Sequence, residues 1–157
     1  MVKSKTAVVD SLEITFEDER NLLELIRKAH IELPTFCYHS DISVYGACRM
    51  CMVEVEGRGL VPACSTPAED GMVVHTNTKQ IRDMRKMIVE LLLANHDLNC
   101  TTCPKSGDCQ LQKIARQLGV TKVRFKQTQT FPKTDLSSDA ILRDPKKCVL
   151  CGDCVRV

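Results

Sequence analysis

Cys37, Cys48, Cys51 and Cys64 are spaced C-x10-C-x2-C-x12-C. Four thiolates converging on two irons make a [2Fe–2S] centre, and a long loop with a C-x2-C pair plus a distant Cys is a known way to supply them. The loop Tyr45-Gly46-Ala47-Cys48-Arg49-Met50-Cys51 carries small residues where backbone must bend close to sulfide, and its N–H groups can hydrogen-bond to sulfur. A four-Cys zinc site prefers two short Cys knuckles, and this group has only one. The second group, His96, Cys100, Cys103 and Cys109, is spaced H-x3-C-x2-C-x5-C. Three thiolates and an imidazole can occupy the four corners of a [4Fe–4S] cubane, and the neutral His leaves one negative charge fewer than four thiolates would. The same donor set would also suit zinc, and His96 alone would read as a helix C-terminal residue favoured by the helix dipole.

The third group is Cys148, Cys151 and Cys154, a C-x2-C-x2-C run that begins a bacterial two-cluster ferredoxin motif. The next Cys of that motif would fall just beyond Val157, and the second motif is absent. These residues therefore supply part of a further [4Fe–4S] site, and the natural protein is expected to continue. His30, His39 and His75 read as ordinary helix-end, loop and strand residues. Phe36, Tyr38 and Tyr45 are expected to shield the first centre from water.

These ligands need elements to hold them. Thr6–Val9 and Leu12–Phe16 flank a tight turn at Asp10-Ser11 and read as a hairpin. Leu22, Leu23, Leu25, Ile26 and Ala29 recur at helical spacing, with Pro34 closing the helix. Met52–Glu56 alternates as a strand, Gly57-Arg58-Gly59 turns, and Leu60–Ala63 and Met72–His75 are short strands. This order predicts an α+β chain that opens with a β-grasp [2Fe–2S] ferredoxin domain over 1–77. A small helical His/Cys3 [4Fe–4S] domain is predicted over 78–120. Its first helix is capped by Asn77 or Thr78 and carries an apolar stripe of Ile81, Met84, Ile88, Leu91 and Leu92. A second helix starts near Asp108, buries Leu111, Ile114, Ala115 and Leu118, and stops at Gly119. Residues 121–140 read as a linker. Residues 141–157 read as the truncated start of a two-[4Fe–4S] ferredoxin domain, with Ile141–Arg143 as its first strand.

Composition narrows the function classes. The chain begins without an apolar signal core, and its longest apolar run, Met87–Ala94, is broken by Glu90. A cytoplasmic protein with no membrane span is expected, where ten thiols point to metal rather than to disulfides. The formal charge of +2 counts every Cys as neutral; ligation of the first two groups would bring it to about −1. No nucleic-acid partner is therefore expected, and the Lys and Arg residues are taken as solvated surface. No P-loop or G-x-G-x-x-G is present and no Ser/His/Asp set can be placed, so no catalytic site is expected within the segment itself.

Three stretches carry a resemblance: Gly46–Val55, His96–Cys103 with Gly107-Asp108-Cys109, and Arg143–Val157. In this order they resemble the N-terminal iron–sulfur region of iron-only ([FeFe]) hydrogenase catalytic subunits of the NAD(P)-linked or electron-bifurcating type. They also resemble the large iron–sulfur subunit of complex I and NAD-linked formate dehydrogenases. The resemblance implies [2Fe–2S] on Cys37, Cys48, Cys51 and Cys64, [4Fe–4S] on His96, Cys100, Cys103 and Cys109, and part of another [4Fe–4S] on Cys148, Cys151 and Cys154. It implies a flavin-containing NAD(P)H-oxidising partner subunit, other iron–sulfur subunits and a downstream catalytic domain. The function expected is an electron relay in an oxidoreductase.

Overall fold

Residues 4–128 and 130–157 are described by a computed structural model. Met1, Val2 and Lys3, where a leader would begin, and Gln129 of the expected linker lie outside the described residues. The chain forms two compact units. The first runs to Arg85 and includes Cys151–Val157, and the second is Lys86–Leu150.

The first unit is built on a five-stranded mixed sheet. Strands β1 (Lys5–Val9) and β2 (Leu12–Phe16) form the expected hairpin. Asp10 and Ser11 both have positive φ, 47° and 74°, as a two-residue turn matching the strand twist requires. Strands β3 (Met52–Val55), β4 (Gly59–Pro62) and β5 (Val73–His75) complete the order β2-β1-β5-β3-β4, with β1 and β5 parallel and the other pairs antiparallel. Asp10 also ties the turn to the end of β5, since its carboxylate accepts from the Thr76 N–H (2.8 Å) and hydroxyl.

Helix α1 (Leu22–Lys28) buries Leu22, Leu23, Leu25 and Ile26 in one core with Ala7, Val9, Phe16, Val53, Val55 and Val74. Asn21 caps it by accepting from the Glu24 N–H at 3.0 Å. The helix ends before Pro34 is reached, because His30 turns left-handed at φ 59° and donates its N–H to the Arg27 carbonyl. Cys51, Ala63 and Cys64 belong to the same core, so the first cysteine group sits on packed apolar side chains.

Helix α2 (Lys79–Ala94) begins where Thr78 accepts from the Ile81 N–H at 3.4 Å. Its buried face differs from the expected stripe. Ile81, Arg85, Val89 and Glu90 are buried, whereas Leu91 is 45% exposed. Two charged residues displace it from that face because each finds polar partners there, the Met50 and Met52 carbonyls for Arg85 and Arg124 for Glu90 (2.5 Å). Arg85 thus also corrects the reading of every Lys and Arg as solvated surface.

In the second unit α3 (Gln110–Gln117) buries Leu111 and Ile114, with Ala115 and Leu118 half-buried. Gly119, at φ 61°, donates to the Arg116 carbonyl and Val120 donates to that of Ala115, the paired bonds that close a helix through a left-handed residue. Ile141–Arg143 is not a strand. Arg143 makes a single antiparallel bridge to Asp135, and Ile141 and Leu142 are more than two-thirds exposed, so no neighbouring strand rewards extension there. Among the described residues no helix is long and apolar enough to cross a membrane.

The core assignment predicts a sharp contrast between two leucines. Leu25→Ala, at a fully buried position, should lower the unfolding free energy by about 2–5 kcal/mol. Leu12→Ala, on a half-exposed edge position, should stay within about 0.5 kcal/mol of the parent. Denaturant titration followed by circular dichroism measures both.

Candidate functional site

The first cysteine group is assembled by a hairpin and a bent loop. Register pairs Met52 with Pro62, and one step outward the Ala63 N–H donates to the Cys51 carbonyl at 3.0 Å. Cys51 and Cys64 therefore meet at the open end of the β3–β4 hairpin. Cys37 and Cys48 arrive through the loops before β3, where Gly46 (φ 68°) and Arg49 (φ 55°) take left-handed backbone. Such residues turn successive N–H groups to one side, an arrangement that receives negative charge. Here the Cys48 N–H donates to the Cys37 sulfur at 3.4 Å.

Cys37, Cys51 and Cys64 are each 1% exposed, and Cys48 is half-buried. No disulfide joins any of the ten cysteines. Burial pushes the Cys37 thiol up, against the pull of the Ala47 and Cys48 N–H groups. The hydrogen bond to Cys64, followed by burial, raises Cys51 far above the ordinary thiol range. Cys64 is lowered, chiefly by that same bond from Cys51, while Cys37 and Cys48 act on it through space. All four sulfurs thus share one electrostatic neighbourhood. Four such thiols can ionise together only if a cation takes up their charge, and backbone N–H donors aimed at sulfur fit thiolates bound to iron.

The second group hangs on helix ends. His96 follows α2 and donates its N–H to the Leu93 carbonyl. Cys100 opens a 3-10 turn (Cys100–Thr102), Cys103 closes it by donating to the Cys100 carbonyl, and Cys109 is the N-cap of α3. The three thiols are half-buried. His96 Nδ1 is buried and, among the described residues, has no hydrogen-bond partner. Burial also pulls the imidazole below its ordinary pKa, opposed by the backbone of Cys148. A neutral ring with an unused buried nitrogen is what a metal-bound His requires. Among the described residues, no three His, Cys, Asp or Glu side chains are grouped as a single bound ion would need.

Of the third group, Cys148 belongs to the second unit and Cys151 and Cys154 to the first. Leu150, left-handed at φ 57°, donates its N–H to the Cys148 sulfur at 3.4 Å. Cys154 lies exposed in the short helix α4 (Asp153–Arg156). His39 is an exposed loop residue beside Asp41.

Tyr45 does not shield the first group as expected. It is 56% exposed, and the Arg156 guanidinium lies over its ring at 5.3 Å. Tyr38 is half-buried against the core that contains Cys51 and Cys64, and donates its hydroxyl to Glu24 at 2.8 Å. Two arginines near this group are not evident from the sequence pattern. Arg156 donates to the carbonyls of Cys37 (2.8 Å) and Ser43 while paired with Asp153. Arg85 donates to the carbonyls on both sides of Cys51, at 3.0 and 2.8 Å. The one signal for Arg85 is its helical spacing from Ile81 and Val89, which places it on their face.

Known proteins match the chain along nearly its whole length. Residues 6–79 match the family described as 2Fe-2S iron-sulfur cluster binding domain, and residues 85–124 match the NADH-ubiquinone oxidoreductase-G iron-sulfur binding region. A G-type subunit of the NADH-quinone oxidoreductase of Rhizobium meliloti is 40% identical over 152 residues, covering 95% of this chain and 18% of the relative. NADP-reducing hydrogenase subunit HndD of Solidesulfovibrio fructosivorans is 35% identical over 156 residues, covering 95% of this chain and 26% of the relative. A crystal structure of NAD+-reducing [NiFe]-hydrogenase in the H2-reduced state superposes with a TM-score of 0.89 at 34% identity, covering 98% of this chain and 65% of that one. The chain thus spans about a fifth to a quarter of the length of these curated relatives. They bear on the relay region and do not single out iron-only hydrogenase or formate dehydrogenase. The buried thiols of the first group, the orphaned imidazole nitrogen and these matches converge: the chain is an iron–sulfur electron-relay segment with a 2Fe–2S binding domain followed by a 4Fe–4S binding region, similar to the corresponding parts of NAD(P)H-linked oxidoreductases and of NAD-reducing hydrogenase.

Proposed function

We propose that Cys37, Cys48, Cys51 and Cys64 hold the [2Fe–2S] group and that His96, Cys100, Cys103 and Cys109 hold the [4Fe–4S] group. Cys148, Cys151 and Cys154 contribute part of a further [4Fe–4S] site in a longer protein. The observation that carries the reading is the burial of three thiols and a fourth half-buried one in one neighbourhood under backbone N–H donors. Bound, these groups supply one-electron chemistry whose potential follows ligand charge, hydrogen bonds to sulfur and burial.

Each part of the chain has a task in that scheme. The sheet of the first unit, read as a β-grasp domain over 1–77, fixes two thiols at a hairpin end and excludes water from them. The helical segment 78–120 presents one imidazole and three thiols, 121–140 is a linker, and 141–157 begins the next ferredoxin-like domain. The relay connects a flavin-containing NAD(P)H-oxidising subunit, alongside other iron–sulfur subunits, with a hydrogen-activating centre in a cytoplasmic [FeFe]-type enzyme. The hydrogen-linked end is supported by the wording of the last two cysteine stretches and by the match to an NADP-reducing hydrogenase. A quinone-linked end is the second reading, favoured by the 40% identity to a quinone oxidoreductase subunit.

Metal content tests the assignment directly. Anaerobically reconstituted protein should be brown and carry about six irons per chain in the first two groups, two and four respectively. Stoichiometric zinc in a colourless protein would replace the relay by an interaction module.

His96 gives a finer test. His96→Cys should retain a cubane but move its midpoint potential downward, because thiolate adds a negative charge. His96→Ala should make the same group labile. Iron analysis and redox titration that find both variants equal to the parent would remove His96 from the ligand set.

A further inference from the structure

Arg85 is a buried cation whose hydrogen-bond partners are neutral, and its place in the fold suggests what balances it. Its side chain projects from α2 and the residue is 6% exposed. Nε donates to the Met50 carbonyl at 3.0 Å and Nη2 to the Met52 carbonyl at 2.8 Å, so one guanidinium grips the backbone on both sides of Cys51. Among the described residues it has no ion pair with a carboxylate, in contrast to Arg156 with Asp153 and Arg124 with Glu90. The charged or titratable groups that act on it are Cys51 and Asp10, and the Asp10 carboxylate already accepts two hydrogen bonds from Thr76. Burial pulls the guanidinium down to about 10, so it stays charged at neutral pH.

A buried charge without an opposite one is strongly destabilising. Carbonyl dipoles relieve that only in part. We propose that Arg85 is the resident counter-charge of the [2Fe–2S] site, holding the backbone on both sides of Cys51 by the Met50 and Met52 carbonyls and favouring the reduced form of the group bound there. The proposal rests on the assignment of Cys37, Cys48, Cys51 and Cys64 as ligands. Four thiolates around a [2Fe–2S] core carry about −2 when oxidised, and one more negative charge after uptake of one electron. A fixed cation in a poorly screened interior attracts the more negative state more strongly. Arg85 touches backbone rather than the reacting atoms, and is therefore a positioning and potential-setting residue.

The experiment compares the parent chain with Arg85→Gln, Arg85→Met and Arg85→Lys after anaerobic reconstitution. Iron content, the visible and EPR spectra, and the midpoint potentials of both groups are read. Gln keeps one donor without the charge, Met removes both, and Lys keeps the charge without the planar fork. In the Gln and Met variants the first group should titrate at a lower potential, with its reduced fraction at a fixed poise near the parent midpoint falling about tenfold. The second group should be unmoved, and Lys should restore most of the first group's potential. Loaded Gln and Met variants with the parent's midpoint would overturn the role of Arg85 alone. A parent chain that takes up no [2Fe–2S] group would overturn the ligand assignment and the proposal with it. Should the neutral variants fail to load iron, a Lys variant that loads and titrates like the parent supports the charge role. Failure of Lys as well would reduce Arg85 to a packing residue and overturn it.

Discussion

Thiols buried in and beside an apolar core set the terms for the first unit. A thiolate loses hydration on burial, which raises Cys37, while Cys51 is raised first by its hydrogen bond with Cys64 and then by burial. Backbone N–H groups aimed at sulfur offset part of this cost. The left-handed residues Gly46 and Arg49 turn the loop so that its amides face sulfur, and the β3–β4 register delivers Cys51 and Cys64 together. In the proposed assignment, the remaining compensation would come from the group held by these thiols.

The sheet and α1 matter because they make that loop stiff. Cys51 and Cys64 pack among the same buried side chains as Leu22, Ile26, Val53 and Ala63, so displacing a sulfur disturbs the core. The N-terminal end of α1 is fastened to the same hairpin, since the Leu23 N–H donates to the Ala63 carbonyl at 3.1 Å and the Leu22 N–H to that of Thr66 at 2.9 Å. Surroundings fastened in this way reorganise little when charge arrives.

The second unit uses a different economy. Its ligand candidates sit at helix ends, where Cys103 and Cys109 take capping positions and His96 lies just past α2. Tight turns hold them, among them the Asp97 side chain, which accepts from the Asn99 N–H at 3.0 Å, and the Asp97 N–H, which donates to the Lys146 carbonyl at 2.8 Å. The three thiols are only half-buried, so this group depends on local backbone geometry more than on a large apolar core.

Local patterns were legible from the chain itself. The Cys and His spacings, the Asp10-Ser11 hairpin turn, the α2 start at Thr78 and the Gly119 stop follow from covalent reach and backbone preference within a few residues. Packing decided the rest. Whether Leu91 or Arg85 faces inward, whether Ile141–Arg143 finds a strand to pair with, and whether Tyr45 covers sulfur or lies beneath Arg156 depend on residues far away in sequence. Periodicity marks which side chains share a helix face. Only the assembled fold supplies the carbonyls that let a charged one take the buried place.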